Sequence, residues 1–352
     1  MQHVKLFKLF LKLGFFAFGG PAAHISMMYD EVVTKNEWFT DQEFLNMISF
    51  TNLIPGPNST EMAILIGYKM GGILGLLISG LSFIIPAVLI VLGFTHFYVH
   101  YYHIPQIQNV FNGMLPSIFL IISLAVFKLS RKTIKSKEET FLLAGLFVLL
   151  ILGISEFLIL LVGGIYFLLK NYKNKLLSIE PFSFSILFLL FLKIGSILYG
   201  SGYVLISFLQ TELVNKNSWL TLKQLVDLVA IGEITPGPVF TTATAIGYYL
   251  GRVKGAFIST VGIFTPSFIF IGIISPIYDK LKEKQWIQEL LQGLSIASLA
   301  IMYYVSFNLA KSILSNIQMI IFTFSMIVIW KLFKLKSPYL ILIGATLGFI
   351  FL

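Results

Sequence analysis

Apolar runs dominate the chain, and their lengths and interruptions predict its elements. Continuous apolar spans cover about 72–99 and 105–130, and again 252–278 and 287–311. Each is long enough to cross a hydrocarbon core of about 30 Å, which takes about 20 helical residues. Two shorter runs follow each pair, 141–152 and 156–169 in one case and 317–330 and 338–352 in the other. They predict hairpins of short or tilted helices. Ahead of each pair a first helix ends at a glycine turn, Gly19-Gly20-Pro21 or Gly200-Ser201-Gly202. A short amphipathic helix comes next, then a polar loop carrying a tryptophan. An apolar stretch broken by Pro-Gly-Pro, at 55–57 or 236–238, completes the order.

The same order twice is also a repeat of residues. Phe10-Leu-Lys12-Leu-Gly14 returns 181 positions later as Phe191-Leu-Lys193-Ile-Gly195, and Trp38 returns as Trp219. After a one-residue slip, Gly67-Tyr68 meets Gly247-Tyr248, Pro86 meets Pro266, and Gly113 meets Gly293. Chance does not align this many Gly, Pro and Trp positions, and a period of this kind sets the fold before any local detail. The chain therefore reads as two homologous halves, 1–178 and 179–352.

Loop charge orients the halves. Lys128, Arg131, Lys132, Lys135 and Lys137 crowd the loop at 128–139, while Lys311 stands alone after the counterpart span. The 95–109 loop has no Lys or Arg, but its counterpart carries Lys280, Lys282 and Lys284. The hairpin tip at 153–155 has no basic residue, against Lys331, Lys334 and Lys336 at the other tip. Lys170, Lys173 and Lys175 close the first half, and the second ends uncharged. All four comparisons swap, as the positive-inside rule requires of halves inserted upside down relative to each other. The expected fold class is thus an all-α polytopic membrane protein, two helical halves forming an inverted-topology repeat with helices broken at Pro-Gly-Pro. Lys5, Lys8 and Lys12 pull the N-terminus towards the basic face, in conflict with the inversion.

Composition agrees with the pattern. Of 352 residues, 57% are apolar and 12% charged, with a mean hydropathy of +0.88. A soluble domain carries about 25% charge, so soluble enzymes, nucleic-acid binders and disordered chains are excluded together. The net charge of +9 sits in short loops and calls for no nucleic-acid partner. Zero Cys excludes disulfides and thiolate metal sites. The N-terminal segment shows no small-residue cleavage site and reads as a structural first helix. No HExxH, Walker A, GxSxG or GxGxxG-plus-acid pattern occurs, so the reading is of a protein that is no enzyme, needs no cofactor and is driven by an ion gradient or its substrate's own.

The chemistry is expected where helices break. Irregular backbone survives at membrane depth only inside protein or against water. Asp41–Ile54 and Asn58–Met70 therefore read as half-helices meeting at Pro55-Gly56-Pro57. The second starts with Asn58, Ser59 and Thr60, residues of capping type, and its first N–H groups and dipole suit an oxyanion. Thr235-Pro236-Gly237-Pro238, followed by Thr241, Thr242 and Thr244, repeats the design. A simple transmembrane kink explains one such motif; two in symmetric positions favour a site. Gly19, Gly20 and Gly200 could add N–H donors or serve close helix packing.

Ionisable residues in apolar context are functional candidates by default. Lys12 and Lys193 are candidates for balancing an anion or for snorkelling. His24 is a hydrogen-bond donor, a proton carrier or a structural histidine. Glu61 and Glu233 flank the two Pro-Gly-Pro turns as proton-carrier candidates. His96, His100 and His103 share a helix face, but their setting among Phe97, Tyr98, Tyr101 and Tyr102 favours an interfacial aromatic belt over a metal site.

The strings Phe18-Gly19-Gly20-Pro21-Ala22-Ala23-His24 and Leu53-Ile54-Pro55-Gly56-Pro57-Asn58-Ser59-Thr60 resemble those of the chromate ion transporter family. Thr235-Pro236-Gly237-Pro238-Val239-Phe240-Thr241-Thr242 and Phe264-Thr265-Pro266-Ser267-Phe268 resemble the partner signature of its long, two-domain form. The resemblance covers essentially the whole chain. It implies chromate efflux conferring resistance across the plasma membrane, with sulfate as isosteric competitor; uptake or exchange of sulfate or another tetrahedral oxyanion on the same fold is the alternative. Protons as coupling ion, the lipid bilayer and a homodimeric assembly complete the expected partners. Glu61 and Glu233 depart from the family pattern, in which Gln is common there.

Overall fold

A computed structural model describes residues 2–17, 20–51, 54–154, 158–160, 162–163, 183–198, 202–277, 285–335 and 337–352. The boundary between the expected halves falls outside the described residues, as do Lys170, Lys173, Lys175, Lys280, Lys282, Lys284 and Lys336.

The first helix, α1 (Gln2–Phe16), buries Leu6, Leu9, Phe10 and Leu13. The spacing i, i+3, i+4, i+7 places all four on one face. Its counterpart α7 (Phe184–Ile197) buries Leu187, Leu190, Phe191 and Ile194, the same positions 181 residues on. α2 (Gly20–Tyr29) and α8 (Gly202–Leu209) each widen into a π-helical turn, Asp30–Lys35 and Gln210–Lys216. Both turns end with a left-handed residue before the tryptophan, Glu37 at φ 51° and Ser218 at φ 52°. The short amphipathic helix of the sequence reading is thus a helix with a π bulge.

α3 (Asp41–Thr51) and α9 (Leu222–Ile234) then run into the Pro-Gly-Pro turns. α3 starts at Thr40, whose hydroxyl and N–H exchange bonds with Glu43, and α9 starts with the same capping box between Thr221 and Gln224.

α4 (Asn58–Tyr101) holds two antiparallel arms. Gly71 (φ −141°, ψ 20°) and Gly72 (φ 61°, ψ −149°) reverse the chain, leaving a short arm, 58–70, folded back on a long arm, 73–101. α10 (Thr242–Ile274) does the same at Gly251 and Arg252. The arms close on small residues: a Cβ on Gly67 would overlap the Gly75 carbonyl and Ser79, and one on Gly247 the Gly255 carbonyl and Ser259. Ser259 also donates to the Ala243 carbonyl across the arms at 2.7 Å. In lipid, apolar surface gives helices little reason to associate, so close approach through Gly and Ser supplies the packing instead. The long arm of 29 residues is about 43 Å at 1.5 Å per residue, enough to span a bilayer.

The two long arms are equivalents 180 positions apart, and they pass each other antiparallel. Gly80 meets Phe268 while Leu76 meets Gly272, so numbering climbs along one as it falls along the other. The axis relating the halves is therefore perpendicular to the long arms. Lipid-facing stripes run along them, with Ile73, Leu77, Leu81, Ile85 and Leu89 exposed on one and Val253, Phe257, Val261, Ile269 and Ile273 on the other. Exposed apolar stripes of this extent mark a membrane surface.

Remaining helices weave the repeats together. α5 (Pro105–Thr133) is followed by α6 (Lys137–Ile151), and α11 (Gln285–Leu314) by α12 (Ile317–Phe333) and α13 (Ser337–Phe351). α13 lies in a groove of α5, where a Cβ on Gly113 would meet the Gly344 carbonyl and Gly348, and Ser117 donates to the Leu340 carbonyl at 2.9 Å. The reciprocal contact joins Gly163 of the first half to Gly293 of α11.

Candidate functional site

The Pro-Gly-Pro turns are seated crosswise. Gly56 donates its N–H to the Leu198 carbonyl at the end of α7, 2.8 Å away, and Gly237 donates to the Ala17 carbonyl at the end of α1, 3.0 Å away. Ala17 and Leu198 are repeat equivalents, so each broken helix is held by the first helix of the opposite half. Both glycines take positive φ, 134° and 93°, where an L side chain is strained. A Cβ on either would meet the opposite long arm one residue past its proline: Ala87 for Gly237, and Ser267 for Gly56. Pro55, Pro57, Pro236 and Pro238 hold the flanking backbone and leave those carbonyls to the helix starts. Pro57 O accepts from the N–H groups of Thr60 and Glu61, and Pro238 O from that of Thr241.

This geometry moves the capping residues. The N-cap of α4 is Pro57, which offers no side-chain cap, and Asn58, Ser59 and Thr60 occupy the first helical turn instead. Ser59 and Thr60 are 1% and 0% exposed, and neither hydroxyl has a hydrogen-bond partner. In the second half a single 3-10 turn, Val239–Thr241, takes the place of the first α-turn, which accounts for the one-residue slip in the repeat. There the Thr241 hydroxyl donates to the Pro238 carbonyl at 2.8 Å, while that of Thr242 is buried without a partner.

His24, 1% exposed on α2, has both ring nitrogens buried and unpartnered, and it packs edge-on against Phe83 at 5.7 Å. Its neighbour is the Ala17 carbonyl, which receives Gly237. The α1–α2 break is thereby joined to the second Pro-Gly-Pro. Gly20 opens α2 one turn before His24; Gly19 and Gly200 lie outside the described residues.

The carboxylates are not repeat equivalents. Glu61, fully buried, lies against Gly56 and accepts from the Ser267 hydroxyl at 3.4 Å, with its second oxygen unpartnered. At that register the second half has Thr241. Glu233 precedes its turn on α9, with one oxygen buried and unpartnered. No Lys, Arg or His lies within 4 Å of either carboxylate among the described residues.

The structure takes Lys12 and Lys193 elsewhere. Lys12 pairs with Glu31 at 3.0 Å and Lys193 with Glu212 at 2.6 Å, and each acid also takes a lysine four residues on, Lys35 or Lys216. They tie the first helix of each half to its π turn. The sequence reading missed Glu31 and Glu212 as their partners, although both lie 19 residues on at equivalent positions. It also passed over Ser207, whose buried hydroxyl on α8 has no partner, and the contact of Ser267 with Glu61. Of the histidine trio, His96 contacts the Tyr248 hydroxyl at 2.6 Å and His100 turns to the His96 carbonyl.

A bundle with antiparallel equivalent arms, broken helices facing each other and apolar stripes outside is a multi-pass membrane protein built as an inverted repeat. Among the described residues, four helical stretches, 58–101, 105–131, 239–274 and 292–314, are long and apolar enough to cross a membrane. The family model described as chromate transporter matches the chain twice, at residues 4–168 and 185–349, and the chain belongs to that family. An uncharacterized transporter of Methanocaldococcus jannaschii is 29% identical, over 99% of this chain and 94% of its own. A probable chromate transport protein of Synechococcus elongatus is 29% identical over 99% and 95%, and a chromate transport protein of Cupriavidus metallidurans 28% over 97% and 91%. No solved structure matches the chain.

Proposed function

We propose that the protein is a secondary transporter that carries chromate out of the cell across the plasma membrane. The observation that carries the reading is the set of buried donors with no partner beside the crossed turns: Ser59, Thr60, Thr242 and His24. Buried polar atoms are almost always satisfied, and four left open near two helix starts are suited to a ligand that accepts hydrogen bonds. A tetrahedral dianion offers four acceptor oxygens. Helix starts and hydroxyls stabilise it without a buried lysine, and so leave it free to depart. Thr242 is a better donor than Thr241, whose hydroxyl is engaged with Pro238. Two long relatives, one a chromate transport protein and one a probable chromate transport protein, suggest the substrate.

Glu61 sits where a carboxylate would repel that dianion, and in its protonated form its free oxygen adds a donor. Proton binding at Glu61 would thus favour substrate binding, and proton release would favour exit. Such linkage makes the proton and the dianion travel together as a net anion, which an inside-negative membrane potential drives outward. The same unpartnered hydroxyls argue against covalent catalysis, since none has a base within hydrogen-bond reach. Inversion of the two sequence repeats, 1–178 and 179–352, across the bilayer gives the site one exit to each side.

The test is uptake of radiolabelled chromate and of sulfate into everted vesicles, with and without an imposed proton gradient. Saturable chromate uptake is expected to fall about ten-fold or more in Thr60→Val or Thr242→Val, each of which leaves a ligand oxygen unpaired at a cost of about 1–3 kcal/mol. Glu61→Gln should retain chromate binding and lose the gradient dependence. Sulfate carried in preference to chromate would replace the substrate, and the absence of oxyanion flux would defeat the proposal.

A further inference from the structure

The cleft between α3 and the short arm of α4 is a pocket of about 210 Å³, lined by Glu43, Asn46, Leu65, Tyr68 and Lys69. It leads from the protein surface, where Asn46 is exposed, towards buried Leu65 in the short arm that starts at Ser59 and Thr60. Glu43 is committed to capping Thr40, and no ion pair within 4 Å joins it to Lys69. The repeat fixes the corresponding positions in the second half: Gln224, Asp227, Ala245, Tyr248 and Tyr249. There one side-chain hydrogen bond crosses the cleft, and two more tie its walls to the long arm of α4. Tyr98, from the end of the long arm of α4, donates to Asp227 on α9 at 2.9 Å. His96, half a turn earlier, meets Tyr248 on the short arm of α10 at 2.6 Å, and Gln224 donates to Tyr249 at 2.6 Å. Tyr98 and Asp227 are 1% and 3% exposed, and Ala245, about one turn before Tyr248 and Tyr249 on the short arm, is fully buried.

Among the described residues the difference follows from residue chemistry; the counterpart of Tyr98, at position 278, lies outside them. A glutamine caps its helix with the amide oxygen and still has an N–H₂ to donate across the cleft, whereas the Glu43 carboxylate only accepts. Aspartate at 227 gives the Tyr98 hydroxyl an acceptor in a buried setting. Because the axis relating the halves lies across the antiparallel long arms, the two clefts face opposite sides of the membrane.

We propose that Tyr98, Asp227 and the His96–Tyr248 contact form a gate that holds the second-half cleft shut while the first-half cleft is open. Asp227 acts as a positioning residue, anchoring the tip of the long arm over the path to Thr242. The gate rests on the transport reading given above, but not on which oxyanion is carried. Breaking the Tyr98–Asp227 bond frees the arm tip and shifts the population towards the state open on the other side.

The chain has no cysteine, so single thiols can be placed in the natural sequence. Ala245→Cys reports the second cleft and Asn46→Cys the first, each labelled by a membrane-impermeant maleimide in right-side-out and everted vesicles without substrate. Adding Tyr98→Phe, which removes one hydroxyl, should raise the Ala245→Cys labelling rate about five-fold, the worth of one net hydrogen bond, and lower that of Asn46→Cys. Asp227→Ala should do the same, and Asp227→Asn, which keeps an acceptor, should restore the original rates. Unchanged labelling in both Tyr98→Phe and Asp227→Ala overturns the gate. So does a rise at both thiols together, which marks general loosening. If Asp227→Ala fails to reach the membrane, Tyr98→Phe alone decides. Vesicles that carry no chromate yet show the opposite shifts uphold the gate and remove only the substrate assignment.

Discussion

Gly237→Ala puts a methyl group where the crossed turns leave no room. At φ 93° an alanine is strained by about 1–3 kcal/mol whatever surrounds it. Its Cβ would also overlap that of Ala87, which is fixed to the long arm of α4 and has no rotamer to escape through. Such overpacking costs about 1–3 kcal/mol. If the turn shifts to relieve it, the bond from Gly237 N–H to the Ala17 carbonyl is lost instead, about 1 kcal/mol. The losses are alternatives in part, so the expected destabilisation is about 2–5 kcal/mol. Gly56→Ala should cost less, because Glu61 and Ser267, which its Cβ would meet, are side chains that can turn. It should harm transport more, since it displaces Glu61. Thermal unfolding of the purified protein in detergent measures both. At about 2 °C per kcal/mol for a large chain, Gly237→Ala should lower the midpoint by roughly 4–10 °C. Gly145→Ala, in α6 with open space around it, should leave the midpoint level or raise it. The decisive variant is Ala87→Gly in the Gly237→Ala background, which empties the contested volume and should return the overpacking part but not the strain. If Gly237→Ala behaves like Gly145→Ala, or Ala87→Gly restores nothing, the crosswise seating is wrong.

Two further variants probe features away from the turns. Arg252 reverses α10 at φ 55° and ψ −148°, where its counterpart is Gly72, so Arg252→Gly should stabilise the protein by about 1 kcal/mol in the same melting assay. Glu139 closes a capping box on α6, and the Lys135 and Ser136 N–H groups with Gln292 hold its carboxyl below the usual range. Glu139→Ala should lose about 1 kcal/mol at neutral pH. The native contribution is full above pH 4.5 and fades as the pH falls through the lowered value, so native and variant melting midpoints should converge in acid.

Much of this architecture was legible in the sequence because a buried helix in lipid has few ways to be built. The recurrence of Gly67 as Gly247 and of Pro86 as Pro266 recorded the duplication, and Gly67 and Gly247 prove to be where the arms approach. The break between 70 and 72 was implied by the spans themselves, and the arms do part at Gly71-Gly72. Pairing between the halves was not legible. Nothing in the strings around 17 and 237 says that an N–H of one reaches a carbonyl of the other, because sequence periodicity records which face is apolar and not which neighbour covers it. Lys12 and Lys193 were misleading for a related reason: a cation in an apolar run invites an anion from outside, and here Glu31 and Glu212 supply it from the next helix.

Asymmetry at the centre is where the repeat ceases to inform and function becomes specific. Two identical halves would give a site with the same chemistry towards both faces, and nothing would tie movement of one ion to another. Here Glu61 faces Ser267, whereas at the equivalent places Thr241 bonds its own turn and Ala87 offers only a methyl group to Gly237. Under the proposed function, one face of the site would hold a proton beside the ligand hydroxyls, and the other would not do so at that register. The same imbalance recurs outward, with Asp227 and its tyrosine on one side and Asn46 on the other. A duplicated scaffold supplies two paths of equal geometry, and a few unequal side chains give them direction.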